Sequence, residues 1–245
     1  MPTFATFDGL RLHYDVSGSG TPVVLLHSFP FDSRVWRTTG VLPALVATGR
    51  SAISLDRRGH GLSDKPHDPA AYADNAAARD VSCLLDHLSL PSGDLFAYSL
   101  GSHVGLRVLQ DEPRIRRAVL GGVGAGVLTW DQEHAERVAE LLEIGDPERL
   151  DERGRRMIER IARLQGDRFA LAAQWRGRYV QYEPDFSMVT APVLILTGER
   201  DDDGGDPSLL ASQIPGARLE RVDADHASTM DHPDFVKRAL EFLNE

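Results

Sequence analysis

The chain has 245 residues, and its 27 Lys and Arg against 37 Asp and Glu leave a net charge of −10. That balance argues against a phosphate-backbone partner, which needs a basic surface. A single cysteine, Cys83, excludes an intrachain disulfide and any Cys-rich zinc site. No apolar run reaches the roughly 18 residues of a membrane span, and the start MPTFATFDGLRLHY is not a secretory leader, so the expectation is a soluble, reduced, cytoplasmic protein.

Two strand-like runs, 3–7 and 10–16, flank Asp8-Gly9, a strong hairpin signal. PVVLLH (22–27) and SAISLD (51–56) read as strands buried on both faces of a parallel sheet, with an apolar helical stretch (41–47) between them. Val81, Leu84, Leu85 and Leu88 recur at helical spacing and stop before Pro91. DLFAYS (94–99) runs directly into a helical segment, 100–111, and RAVLGGV (117–123) follows as a sixth strand. After a long interval come PVLILTG (192–198), a helix at 207–214, RLERV (218–222) and a last helix opened by Pro233. A hairpin followed by β/α alternation predicts an α/β protein: a mostly parallel, doubly wound sheet with helices on both faces.

The interval 127–190 breaks the alternation. Thr129-x-x-Gln132 reads as a capping box, with Val138, Leu141 and Leu142 behind it, and Asp146-Pro147 opens a second helix bearing Met157, Ile158, Ile161 and Leu164 on its apolar face. The expected organisation is a core of residues 1–126 and 191–245, with 127–190 as a helical cap inserted after the sixth strand. Its many arginines, among them Arg153, Arg155, Arg156, Arg160, Arg163, Arg168, Arg176 and Arg178, are interleaved with acids and read as a solvated ion-pair face.

Chemistry concentrates at LFAYSLGS. Ser99 lies between strand and helix, with Ala97 two residues before it and Gly101 two after, one residue away from the G-x-S-x-G elbow. Such an elbow needs small flanking residues because strand and helix backbones meet there. It exposes the hydroxyl and aims the Leu100 amide from a helix N-terminus, where negative charge is favoured. The plainer alternative is an ordinary small-residue turn. A serine nucleophile needs a base, and the base needs an orienting acid, in chain order Ser, Asp, His, each just past a strand end. Asp201, three residues after Gly198, is the chosen acid, with Asp202 and Asp203 as competitors; His226, after RLERV, is the chosen base over His232. His27 and His60 lie in turns, His103 reads as structural, and His13, His67, His87 and His134 read as solvent-facing.

Taken together, LLHSFP (25–30), DRRGHGLSDKP (56–66), AYSLG (97–101), TGERD (197–201) and Asp225-His226 give nearly the whole chain a resemblance to the α/β-hydrolase superfamily, in its compact esterase, lactonase and cofactor-free haloperoxidase-like branch. The resemblance implies the α/β-hydrolase fold with a small cap after strand 6, and a catalytic set of Ser99 (nucleophile), His226 (base, then acid) and Asp201 (orienter). It further implies an oxyanion hole from the backbone N–H groups of Phe29 and Leu100, and no metal or cofactor. Three residues depart from the pattern: Ser28, Ala97 and Asp225 replace glycines, and Asp225, if close, would raise the His226 pKa. Asp56, Arg57 and His60 read as structural.

The expected activity is hydrolysis of a small carboxylic ester or lactone through an acyl-enzyme, with no nucleic-acid or membrane partner. Phe29 and Trp130 are the candidates for the substrate pocket, while Phe169, Trp175, Tyr179 and Tyr182 read mainly as cap packing. Two rival readings stand beside it: a carbon–carbon bond hydrolase or lyase with the same three residues, and a non-catalytic binder on the same fold.

Overall fold

A computed structural model describes residues 1–129, 131–177 and 185–245, excepting the side chains of Pro147 and Arg153. Trp130, Arg178, Tyr179 and Tyr182 lie outside the described residues. Strands β1 (Thr3–Ala5) and β2 (Arg11–Gly18) form the antiparallel hairpin, turning at Gly9 with φ +83°. β3 (Thr21–Leu26), β4 (Arg50–Leu55), β5 (Gly93–Tyr98), β6 (Ile115–Gly121), β7 (Val193–Gly198) and β8 (Arg218–Val222) complete one eight-stranded sheet in the order β1-β2-β4-β3-β5-β6-β7-β8. β2 joins β4 antiparallel, and β3 to β8 run parallel.

Each central strand sends alternate side chains to opposite layers. Val24 and Leu26 of β3 join one buried cluster, with Leu95 and Ala97 of β5; Val23 and Leu25 join the other, with Phe96 and Tyr98. That two-sided burial is why the strands read as continuous apolar runs. Helices α3 (Ala76–His87), α4 (Leu100–Asp111) and α8 (Pro207–Gln213) cover the first face, and α1 (Val35–Thr38), α2 (Val41–Ala47) and α9 (Pro233–Leu243) the second. The result is the α/β-hydrolase fold.

Helices α5 (Gln132–Ile144), α6 (Glu152–Arg163) and α7 (Arg168–Gly177) form an insertion after β6 and share a small cluster of their own, with Leu142, Ile158, Ile161 and Leu171 buried. Phe29, from the loop after β3, packs into that cluster. The expected capping box at Thr129 does not form. Asp131 caps α5 instead, its carboxylate accepting from the His134 N–H at 2.8 Å. Asp151 likewise caps α6, later than the Asp146-Pro147 start, because residues 147–149 make a separate 3₁₀ turn. Both real caps are aspartates three residues before the N–H they accept, the spacing that capping geometry demands. As read from sequence, Arg176 pairs with Glu136 at 2.7 Å and with Glu143, and Arg156 with Glu152, on the outer face.

Candidate active site

Parallel strands deliver their C-terminal ends to one edge, where open α/β sheets bind ligands. β5 ends at Tyr98 and α4 starts at Leu100, leaving Ser99 alone to turn the chain. Its φ of +52° and ψ of −118° fall in a region sparsely used by L-residues, at a cost of about 1–3 kcal/mol. The neighbourhood over-determines the turn. The Ser99 N–H donates to the Gly121 carbonyl at 2.8 Å, and the Ser99 carbonyl accepts from the N–H groups of Ser102 at 2.8 Å and His103 at 3.2 Å. Gly101 permits the approach, since a Cβ there would collide with the Leu26 carbonyl oxygen. Ala97, on the strand side, is fully buried in the core.

Three of the residues singled out from sequence meet at this edge. The Ser99 hydroxyl and His226 Nε2 are 2.9 Å apart, and His226 Nδ1 lies 2.9 and 3.0 Å from the two Asp201 carboxylate oxygens. With Nδ1–H donating to the carboxylate, Nε2 carries the lone pair that faces the hydroxyl. Asp201 follows β7 directly. Its carboxylate is almost fully buried, and it accepts from the Thr197 hydroxyl at 3.1 Å and the Asp203 N–H at 3.2 Å. Asp202 and Asp203 expose their side chains to solvent. His232 is the N-terminal cap of α9, its Nδ1 accepting from the Asp234 N–H at 3.2 Å.

Several supports of the site carry no plain mark in the sequence. The Tyr98 hydroxyl donates to the His226 carbonyl at 2.6 Å. Gly122 lets the imidazole pack against the chain, because a Cβ there would lie 3.1 Å from His226 Cε1 and 2.8 Å from the Tyr98 ring. Thr197 sits one residue before the strand-ending glycine, and only that position hinted at its role. Asp225 engages the Ser228 N–H at 2.9 Å and hydroxyl at 2.6 Å, and these bonds hold its carboxyl below the usual aspartate range. It is thereby a turn former.

On the other side of Ser99, the loop after β3 carries Phe29, followed by a cis Phe29–Pro30 bond. The Phe29 ring meets Trp175 of α7 edge-on at 5.7 Å and His60 at 6.3 Å. Leu100 is the first residue of α4, so its N–H has no partner within the helix. Beneath them, His60 bridges the Phe31 carbonyl (2.9 Å) and the Gln174 side chain (3.1 Å), and His27 Nε2 accepts from the Arg57 N–H at 3.2 Å. Burial, then the nearby Arg57 charge, holds both imidazoles well below the ordinary histidine pKa. His13 is a correction to the sequence reading. It is buried, with Nδ1 3.1 Å from Asp56, which also accepts from the Ser33 and Leu62 N–H groups at 2.8 Å.

Residues 23–239 match the Alpha/beta hydrolase family. The chain belongs to this family. It is 28% identical to the non-heme chloroperoxidase CPO-A1 of Kitasatospora aureofaciens, an alignment covering all of both chains. Among solved structures it is similar to a hydrolase from Pseudomonas aeruginosa PA01, with a TM-score of 0.82, 27% identity and coverage of 100% and 98% of the two chains. A thermophilic esterase from Thermogutta terrifontis superposes with a TM-score of 0.78 at 26% identity, over 99% of this chain and 96% of that one. As an α/β hydrolase, the protein is a hydrolytic enzyme for small organic substrates. Among the described residues, no group of three His, Cys, Asp or Glu is placed to hold a metal, and no helix is long and apolar enough to cross a membrane.

Proposed function

We propose that the protein is a serine hydrolase that cleaves a small carboxylic ester or lactone through an acyl-enzyme. The observation that carries this reading is the continuous path from the Ser99 hydroxyl through His226 to the Asp201 carboxylate. A hydroxyl is a weak nucleophile until a base takes its proton, and an imidazole with a fixed Nδ1–H tautomer is such a base. Ser99 Oγ attacks the carbonyl carbon as its proton passes to His226 Nε2. The imidazolium formed is stabilised by Asp201 and then protonates the leaving alkoxide. Water repeats the sequence on the acyl-serine, releasing the acid and restoring Ser99. The N–H groups of Phe29 and Leu100 receive the developing oxyanion, one from a loop packed against α7 and one from a helix N-terminus. No step calls for a metal or cofactor.

The similarity to an esterase favours ester-type bonds. The chloroperoxidase relative supports a second outcome at the same acyl-serine, attack by hydrogen peroxide instead of water to release a peracid. A fluorophosphonate probe tests the main reading. Stoichiometric labelling that is lost in Ser99→Ala, together with turnover of short 4-nitrophenyl esters or lactones, is the expected result. Folded wild-type protein that neither labels nor turns over any ester or lactone would overturn it, and turnover restricted to vinylogous diketones would move the assignment to carbon–carbon bonds.

A further inference from the structure

A small cavity of about 40 Å³ opens beside the elbow, between α3, α4, α7 and the loop after β4. Its wall includes Arg57, Asn75, Leu100, His103, Arg107 and Gln174. Leu100 belongs to two places at once, since it forms part of this wall and its N–H stands at the start of α4 next to Ser99. Gln174 is similarly shared, lining the cavity and meeting His60, whose ring touches Phe29.

In a chain of net charge −10, two largely buried arginines belong to the lining of one cavity, Arg57 1% and Arg107 9% exposed, and none of the described lining residues is an acid. The Arg57 charge is felt locally, contributing after burial to the low pKa values of His27 and His60. Arg107 is held in place by a 2.6 Å bond from its Nη1 to the Asn75 side-chain oxygen. Asn75 itself is fixed at the start of α3 with φ +58°. Guanidinium groups held in a half-enclosed, low-dielectric wall favour a carboxylate far more than the same groups in water do.

The helix sets the distance. Ser99, His103 and Arg107 follow one another at intervals of four residues along one face of α4, so the His103 and Arg107 part of the wall lies roughly 6–12 Å along the axis from Ser99. A chain of about five to ten bonds, at roughly 1.2 Å each, spans that distance.

We infer that this cavity is a carboxylate subsite, and that the preferred substrates are esters or lactones whose acyl part ends in a second, ionised carboxyl group. The substrate class rests on the acyl-enzyme reading above; the anion preference of the cavity does not. Two measurements keep them apart. In calorimetric titration of the full chain, suberate should bind about tenfold or more tightly than neutral suberamide, the gain of a charge-assisted bond. In kinetics, mono-4-nitrophenyl suberate should exceed 4-nitrophenyl nonanoate in kcat/KM by a similar ratio. In Arg107→Gln both ratios should fall towards one, and in Arg107→Lys most of each should remain; ratios within one variant are insensitive to loss of folded protein. Suberate binding with no fluorophosphonate labelling and no ester turnover would sink the proposed function and leave the subsite standing. Labelling and ester turnover with both ratios near one, or ratios unchanged in Arg107→Gln, would overturn the subsite.

Discussion

The Tyr98 hydroxyl reaches across the sheet edge to the carbonyl of His226, 128 positions away in sequence, with the two rings tilted at a centroid distance of 5.5 Å. Tyr98 immediately precedes Ser99, so one bond ties the backbone of the proposed base to the backbone of the proposed nucleophile. Burial, and then the Asp201 charge, push the phenol above its ordinary pKa and keep it a donor at all working pH. Tyr98→Phe should therefore lower kcat roughly threefold to tenfold, the worth of one net hydrogen bond of about 1 kcal/mol, with KM little changed. Steady-state kinetics on a 4-nitrophenyl ester checks this. An unchanged kcat would show that Gly122 and Asp201 hold the imidazole unaided.

Asp201 carries the second expectation. Its buried carboxylate fixes the Nδ1–H tautomer of His226, whereas Asp202 points to solvent. Asp201→Asn should cut turnover by about 10⁴, as removal of the orienting carboxylate does in a catalytic triad. Asp202→Asn should stay within about threefold of the parent, the range of a solvated surface change. The reverse pattern would assign the acid to residue 202.

The pieces of this site differed in how far they could be seen in the sequence. Ser99 was conspicuous because a sharp turn imposes small residues at fixed offsets, and Asp201 and His226 because strand ends are marked by apolar runs that stop. The alternating burial of Val23, Val24, Leu25 and Leu26 was hidden, since a strand covered on both faces shows no alternation in polarity. Tyr98 and Thr197 looked like ordinary strand residues; their hydroxyl partners come from segments that only the fold brings near. Nothing near His13 in the sequence marks it as buried, since its partner Asp56 is 43 positions away. The Arg57 and Arg107 cavity had no sequence signature, as it is formed by four segments that meet only in the folded chain. Local steric rules leave a trace in sequence; long-range polar contacts do not.

The elbow glycine gives a sharper contrast. At residue 101 a methyl group would meet the Leu26 carbonyl, which belongs to β3 and cannot yield without moving the sheet. Gly101→Ala should lower stability by about 3 kcal/mol, the upper part of the usual overpacking range. Ala97→Gly, which restores the usual elbow residue, loses a buried methyl and some strand rigidity and should cost only about 1–2 kcal/mol. Chemical denaturation of both variants tests the ranking. Equal losses would mean that the elbow can open away from β3.

Stability should also fall on mild acidification, through His27 and His60. Both imidazoles are buried neutral, with folded pKa values depressed first by burial and then by Arg57, and His27 adds its own repulsion to His60. In the unfolded chain each titrates near 6.5. Below that pH the unfolded chain takes up two protons that the folded chain refuses, which lowers stability by about 1.4 kcal/mol per pH unit for each histidine. Asp80 works in the opposite direction. Burial pushes its carboxyl up to about 6 against the pull of Arg58, so below pH 6 the folded chain gains a proton that the unfolded chain, titrating at 3.8, has not yet taken. The net uptake on unfolding between pH 6 and 5 is then about one proton, and stability should drop by roughly 1.4 kcal/mol per unit there. Urea denaturation at pH 7.0, 6.0 and 5.0 measures the slope, and His60→Gln should flatten it by removing one of the two histidine contributions. A slope that is flat in the parent, or unaltered in His60→Gln, would show that His60 accepts a proton in the folded state and that its contact with Gln174 survives the charge.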